Sequence, residues 1–236
     1  MNIKDYLKKF QGETSKIFNT ATQDENIKKL GEVHHISAFI YEFSECLFES
    51  NEKKMLITVS SQIEMSLLNL TLGMYRQAFS SIRLAFEIVL GVVYFSVNKL
   101  DHIEWIKGAN DIKWSKLIDE ENGILSKRYS KAFFEELSNE MSNYNSKAKE
   151  IYREMSEFVH GNYDTWEKSG LALKYNQKLE NQYFVLFKKM TKVVLFVLCS
   201  RYLKSIDTEK LENISEFIME EMKDVDEIRK YLSKGK

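Results

Sequence analysis

Residues 151–166 read IYREMSEFVHGNYDTW, and this stretch determines both the predicted fold class and the predicted site. Its large apolar residues recur every three or four positions, the spacing of one helical face: Ile151, Met155, Phe158 and Val159. The stretch also carries Arg153 and His160, and Gly161 follows directly. We therefore predict an amphipathic helix over about 146–160 that ends at a glycine and presents an arginine and a histidine.

The composition predicts an all-α protein. The 236 residues include no proline, 44% are hydrophobic and 13% are aromatic. Proline breaks helix interiors, so its absence favours long helices, and this apolar content supports a sizeable core. We predict a single helical bundle of about seven to nine helices. An N-terminal helical extension (1–50), a central bundle (51–206) and a C-terminal acidic helix (207–236) could be separate units or one domain.

The longest region with helical apolar spacing runs from 51 to about 97. A single helix of that length is unusual and glycine favours a helix end, so we predict a break at Leu72–Gly73–Met74 and a helical hairpin. Further helices are predicted over about 3–20, 26–50, 101–108, 111–119, 124–142, 181–205 and 208–233. The second of these contains His34 and His35, and one of the two is predicted to lie at a core or interface position.

Two observations bear on cofactors and location. Cys46 and Cys199 lie in apolar helical contexts without zinc-type spacing, so we predict buried free thiols and no metal or cofactor. The first ten residues lack the apolar core of a signal peptide, and the longest apolar runs, 88–97 and 193–199, are too short to span a bilayer. We expect a cytoplasmic protein without membrane association.

Charge is unevenly distributed, although the net charge is only −1. The segment 168–204 has eight basic residues and one acid, whereas 205–227 has nine acids and two lysines. Such asymmetry can mark the footprint of an anionic partner such as RNA. The alternative is that two neighbouring helices neutralise each other, and we favour that alternative.

Arg153 and His160 are seven residues apart, which on an α-helix returns a side chain to nearly the same face with a drift of about 20°. They are roughly 10 Å apart along the axis, at 1.5 Å rise per residue. In the last turn, the negative end of the helix dipole favours a protonated imidazole, which suits proton donation. The simpler explanation is that Arg153 pairs with Glu157 on the helix surface and His160 bonds a terminal carbonyl.

The segment YREMSEFVHG (152–161) resembles the motif helix of the HEPN superfamily, in which an arginine precedes a histidine on a late helix of an all-α bundle. The segment GMYRQAFSSIRLAFE (73–87) resembles the helical arm that faces this motif helix, and the resemblance covers roughly 55–205. Two features depart from the pattern. Glu154 stands where active members often have Asn, Asp or His, and the six residues between Arg153 and His160 are the upper limit of the spacing.

Active members of this superfamily are metal-independent ribonucleases of phage-defence and toxin–antitoxin systems. The resemblance implies that an RNA 2′-hydroxyl attacks its own 3′-phosphate, with His160 moving protons and Arg153 stabilising charge on the phosphorane. It also implies a homodimer, since a two-fold pair of motif helices would place both residue types in one cleft. The implied partners are RNA and an antitoxin or another defence-system protein.

Other residues are supporting candidates for this site. Arg83, Glu87 and Glu157 are assigned positioning roles, with Glu87 reaching across the hairpin to Arg153 or His160. The candidate RNA contacts are one aromatic residue and three lysines: Tyr163, Lys168, Lys174 and Lys178. The simpler explanations are an ion pair within one helix for Arg83 and Glu87, a packing role for Tyr163, and solvated lysines.

Two other functions are consistent with the same residues. The chain could be a catalytically silent HEPN-like bundle that binds RNA or a protein, which Glu154 and the near-zero net charge favour. It could also be a helical scaffold whose methionine- and aromatic-rich faces bind a partner helix.

Overall fold

The computed structural model describes residues 2–160 and 173–234, which form eleven α-helices, one short 3₁₀ helix (Glu135–Asn139) and no β-strand. The α-helices are α1 (Ile3–Ala21), α2 (Asp24–Glu45), α3 (Ser50–Thr71), α4 (Tyr75–Phe95), α5 (Lys99–Ile106), α6 (Trp114–Leu117), α7 (Lys127–Phe133), α8 (Met141–His160), α9 (Gln177–Tyr202), α10 (Thr208–Glu221) and α11 (Asp226–Lys234). The predicted all-α helical bundle is confirmed.

The α3–α4 hairpin lies at the centre of the bundle. Gly73 forms its turn with a φ of +75°, a left-handed conformation that glycine adopts without steric cost. The Met74 N–H donates to the Asn69 carbonyl at 2.8 Å and closes the end of α3. The break predicted at Leu72–Gly73–Met74 is therefore confirmed. Several α4 side chains are fully buried, each contributing about 1.5–3 kcal/mol of hydrophobic stabilisation: Phe79, Ile82, Phe86, Val89 and Leu90.

A single hydrophobic core extends through the bundle, with members from residue 30 to residue 232. Tyr144 of α8 stacks on Phe196 of α9 with the ring centroids 3.6 Å apart. Cys46 and Cys199 are buried free thiols, as predicted. Burial raises the pKa of the Cys199 thiol to about 12, so this group stays protonated at neutral pH.

Helix α4 has the length and the mean hydropathy, 1.7, of a membrane span. However, 61% of that apolar window is buried inside the bundle. Its composition is therefore that of a core helix packed between α3, α8 and α9.

Three predicted helices are shorter or divided. The predicted 124–142 helix consists of α7, the 3₁₀ helix and the start of α8, because Phe134 adopts φ −152° and ψ 79° and ends α7. The predicted 111–119 helix is reduced to α6, and the predicted 208–233 helix is interrupted after Met222. These divisions raise the number of α-helices in the described residues above the seven to nine expected.

The two histidines of α2 lie outside its buried face. Val33, Ile40 and Phe43 are buried, whereas His34 and His35 are both exposed. His34 Nδ1 lies 2.8 Å from Glu64 Oε1 of α3 at the surface. Neither histidine occupies a core position, since the neighbouring face of α2 carries more large apolar side chains and is the one that packs.

Candidate functional site

Helix α8 presents Arg153 and His160 on its exposed surface. Its other side packs into the bundle through side chains that are at most 5% exposed: Met141, Tyr144, Ala148, Ile151, Met155 and Phe158. Arg153 and His160 are both exposed, whereas Glu157 is half-buried on the same helix. Both predicted functional side chains are therefore accessible to a ligand.

Arg76, at the start of α4, fixes the last turn of α8. Its Nε donates to the Phe158 carbonyl at 2.8 Å, in the last described turn of α8. The Phe158 ring stacks on Phe79 of α4 with centroids 3.7 Å apart. These contacts place a guanidinium two residues from His160 and hold the end of α8 against the hairpin tip.

A second α4 arginine contacts α8 about two helical turns away. Arg83 Nη2 donates to the Tyr152 hydroxyl at 2.6 Å and to Glu87 Oε1 at 3.0 Å. The Tyr152 ring lies between Arg83, 4.7 Å from its centroid, and Trp114, stacked at 3.7 Å. Burial raises the pKa of the Tyr152 hydroxyl, and the hydrogen bond from Arg83 opposes that rise.

This cluster positions the backbone of α8 beside Arg153. The Arg83 side chain is 15% exposed, and its Nε has no hydrogen-bond partner among the described residues. Burying a guanidinium is costly unless it is paired, so the Glu87 carboxylate offsets part of the cost of burying Arg83. Arg83 and Glu87 thus reach α8 at Tyr152, and the predicted role of Glu87 in orienting Arg153 or His160 stays a prediction.

Two acidic side chains of α8 form ion pairs with a lysine of α9. Lys189 Nζ lies 3.2 Å from Glu150 Oε1 and 3.1 Å from Glu154 Oε1. Hydrogen bonds to Glu154 and then Glu150 raise the pKa of Lys189. Glu154, the residue that departs from the HEPN pattern, is therefore engaged by a lysine and adds little negative field beside Arg153.

The charge asymmetry has a partly structural explanation. Lys192 of α9 lies 3.2 Å from Glu221 of α10, which is a contact between the basic and acidic segments. Lys204 instead pairs with Glu136, at 2.6 Å. The basic segment is therefore neutralised by several helices, and only one of its ion pairs reaches the acidic segment within the described residues.

The predicted RNA-contacting residues are only partly described. Tyr163 and Lys168 lie outside the described residues, whereas Lys174 and Lys178 are exposed. The Asn176 N–H donates to the Tyr75 hydroxyl at 2.7 Å, which holds the segment 173–176 against the hairpin tip. Lys174 therefore lies at the same end of the bundle as Arg76, whereas Glu157 is half-buried on α8.

Sequence reasoning did not identify a polar cavity at the opposite end of the hairpin. A space of about 240 Å³ is lined by Glu52, Ser96, Lys99, Arg201 and Tyr202 among others. The buried Glu52 carboxylate accepts from the Tyr202 hydroxyl at 2.7 Å and lies 3.3 Å from Lys99 Nζ. Arg201 Nε donates to Ser96 Oγ at 2.7 Å. No sequence signal could have joined Glu52 to Tyr202, because they are 150 residues apart.

A second buried acid was also missed. Glu180 of α9 is fully buried and accepts hydrogen bonds from Asn26 (2.9 Å) and from the Tyr175 hydroxyl (2.7 Å). Burial raises the pKa of the Glu180 carboxyl. This network ties α2 and the start of α9 to the segment that holds Lys174.

Comparisons with protein-family models, with curated proteins and with solved structures gave no match. Within residues 2–160 and 173–234, no group of three or more His, Cys, Asp or Glu side chains is arranged to hold a metal ion.

Proposed function

We propose that the chain is an HEPN-like, metal-independent endoribonuclease of the cytoplasm, acting in phage defence or in a toxin–antitoxin pair. The observation that supports this best is that Arg153 and His160 are both exposed on one helix, α8. The adjoining hairpin contributes Arg76 and Arg83 to the same helix. The exposed guanidinium of Arg153 and imidazole of His160 match the chemistry of a phosphodiester better than that of an apolar ligand, and Arg76 and Arg83 position the helix that carries them.

The proposed reaction requires no group beyond the chain and the RNA. The 2′-hydroxyl gives up its proton to a basic imidazole and attacks the adjacent phosphorus, so a P–O2′ bond forms while the P–O5′ bond breaks. The leaving 5′-oxygen takes a proton from a protonated imidazole, and the products are a 2′,3′-cyclic phosphate and a 5′-hydroxyl. A guanidinium beside the phosphate stabilises the charge that develops on its oxygens.

The spacing of the two side chains favours a shared site. Along α8, Arg153 and His160 are separated by roughly 10 Å, whereas one phosphate needs both groups within about 3 Å. A two-fold axis beside α8 would bring His160 of one copy towards Arg153 of the other. The proposed active form is therefore a homodimer, and an antitoxin that covers the exposed face of α8 would inhibit it.

A catalytically silent, RNA- or protein-binding module is the second candidate. Glu154 and its partner Lys189 favour it, because they place a neutralised ion pair where active HEPN proteins often have Asn, Asp or His. In that case the exposed face of α8 would bind RNA or a protein without cleaving it.

The test is an RNA cleavage assay in EDTA with matched histidine and arginine variants. Purified protein and the variants His160→Ala and Arg153→Ala are incubated with total RNA, followed by analysis of the product ends. The controls are His35→Ala and Arg128→Ala, because these residues are also exposed but lie on other helices. Circular dichroism establishes that each variant is folded.

We expect cleavage by the wild type and by both controls, with a loss of about 10²-fold or more in the His160 and Arg153 variants. Binding of RNA by the wild type without cleavage would support the silent module instead. Equal cleavage by His160→Ala and His35→Ala would show that the active site lies elsewhere.

A further inference from the structure

The polar cavity at the end of the α3–α4 hairpin opposite Gly73 lies where several helix ends meet. Its lining comes from the end of α2, the first turn of α3, the residue after α4, the first residue of α5 and the last turn of α9. Its volume is about 240 Å³, which is room for about eight water molecules at about 30 Å³ each. Sites for drug-sized ligands are larger, roughly 300–1,000 Å³, so we expect a smaller molecule.

The floor of this cavity belongs to the folded interior. Six of its lining side chains are at most 9% exposed: Cys46, Leu47, Glu52, Ser96, Tyr202 and Ile206. They come from four helices or the residues that directly follow them. The cavity is therefore formed by the packing of the helices.

Arg201 lines the cavity with its guanidinium held in one orientation. Its Nε donates to Ser96 Oγ at 2.7 Å, and its Cζ lies 4.4 Å from the ring centroid of Phe133 and 4.8 Å from that of Tyr202. These contacts use the Nε and the faces of the guanidinium. Within residues 2–160 and 173–234, neither Nη atom of Arg201 donates a hydrogen bond and no carboxylate pairs with this side chain.

A partly buried guanidinium ordinarily has an acidic partner. Arg83 is such a case, since its Nη2 lies 3.0 Å from Glu87 Oε1. Arg201 is also partly buried, and taking a charge out of water is costly unless an opposite charge or hydrogen bonds compensate it. An oriented arginine with both Nη atoms available at the wall of a cavity therefore points to an anionic ligand.

The acids of the cavity are already engaged elsewhere. Glu52 accepts from the Tyr202 hydroxyl through Oε2 at 2.7 Å, and its Oε1 lies 3.3 Å from Lys99 Nζ. The same Lys99 Nζ lies 3.7 Å from Glu49 Oε2. Two carboxylates share one ammonium, so they would repel a ligand with two negative charges. A carboxylate, with one charge, fits better than a phosphate monoester, which carries about −1.5 to −2 at neutral pH.

We propose that this cavity binds a small monocarboxylate. The two carboxylate oxygens accept hydrogen bonds from the two Nη atoms of Arg201, the planar fork geometry that a guanidinium offers to a carboxylate. The carbon chain of the ligand packs against Leu47, Phe48 and Ile206, which line the same cavity. Burial of these apolar contacts adds to the binding free energy.

The carboxylate site is independent of the proposed ribonuclease activity. It lies at one end of the α3–α4 hairpin, whereas Arg76 contacts the last turn of α8 at the other end. The variants Arg153→Ala and His160→Ala should therefore bind a carboxylate as the wild type does, whether or not the wild type cleaves RNA.

The test is a titration with sodium butyrate, followed by the ¹H–¹⁵N NMR shifts of the amides that line the cavity. Butyramide, which has nearly the same shape without the charge, and inorganic phosphate are titrated in parallel. The variants are Arg201→Gln, which removes the charge, and Arg201→Lys, which keeps the charge but loses the fork. Arg229→Gln is the control, because Arg229 is exposed on α11 and does not line the cavity.

We expect saturable shifts with the same Kd in the wild type and Arg229→Gln, and a Kd weakened about 10-fold or more in both Arg201 variants. Butyramide should bind the wild type about 10-fold more weakly than butyrate for the same reason. Circular dichroism establishes folding, and if Arg201→Gln does not fold, Arg201→Lys supplies the comparison.

Three results would overturn the proposal. The first is the absence of saturable shifts with butyrate in the wild type, and the second is an equal Kd in the wild type and Arg201→Lys. The third is binding of butyramide or inorganic phosphate as tightly as butyrate, which would show that the cavity does not select a carboxylate.

Discussion

At the scale of single residues, the buried carboxyl group of Glu180 is expected to make the stability of the protein depend on pH. It is fully buried with one carboxylate oxygen, Oε1, lacking a partner among the described residues. Burial raises the pKa of this carboxyl above its ordinary value of 4.5. Between pH 4.5 and the raised pKa, the folded protein binds more protons at this carboxyl than the unfolded chain does. Stability therefore falls as the pH rises through that interval.

Replacing Glu180 with glutamine should remove this pH dependence. Relative to wild type, Glu180→Gln is expected to gain stability progressively between pH 4.5 and neutral pH, because the variant has no carboxylate to desolvate. Urea denaturation at a series of pH values measures the difference, and Glu212→Gln, at an exposed position, is the control. A difference that is constant across the series would show that Glu180 is ionised in the folded protein as readily as in the unfolded chain.

Sequence reasoning reached the residues of α8 because their spacing is local. Arg153 and His160 share a face for the same reason that Ile151, Met155 and Phe158 share the opposite one. The contact of Arg83 with Tyr152 could not be predicted, since it depends on how α4 packs against α8. Buried acids cannot be predicted from local spacing either, because helices that are distant in sequence determine whether a carboxylate is buried.

At the scale of helices, the end of α3 depends on one glycine. Gly73 has a φ of +75°, and a Cβ atom there would lie 2.9 Å from Ile17 Cδ1. Gly73→Ala should therefore lower the free energy of unfolding by about 1–2 kcal/mol through left-handed backbone strain alone. The close contact with α1 adds to that cost.

A second glycine provides the matched control. Gly31 lies inside α2, and a Cβ atom there would meet nothing within 4 Å. Gly31→Ala should raise stability by about 0.4–1 kcal/mol, because it restricts the unfolded chain without strain in the helix. Thermal and urea unfolding of both variants measures the contrast. Equal effects of the two substitutions would argue against a left-handed turn at Gly73.

The predicted helix ends were accurate where a residue dictates them and inaccurate elsewhere. Glycine often ends a helix, so Gly73 allowed the hairpin to be predicted from the sequence. Nothing in the sequence marks Phe134, whose extended backbone divides the region 124–142. On α2, the buried face includes Val33, Ile40 and Phe43, whereas His34 lies at the exposed surface beside Glu64 of α3.

At the scale of the whole molecule, the proposal requires two copies to build one site. The exposed face of α8 carries Arg153 and His160, which could act on a phosphodiester, but the two residues are separated along the helix by roughly 10 Å. If the site is shared, each cleft takes Arg153 from one copy and His160 from the other. The activity then depends on pairing as much as on either side chain.

Complementation between two inactive variants tests this most directly. Arg153→Ala and His160→Ala proteins are mixed in equal amounts, exchanged to equilibrium and assayed for RNA cleavage in EDTA. Half of the dimers are then mixed, and each has one intact cleft of its two, so the account predicts recovery of about one quarter of wild-type activity. A mixture that stays as inactive as its components, although both are folded and dimeric, would contradict the shared site.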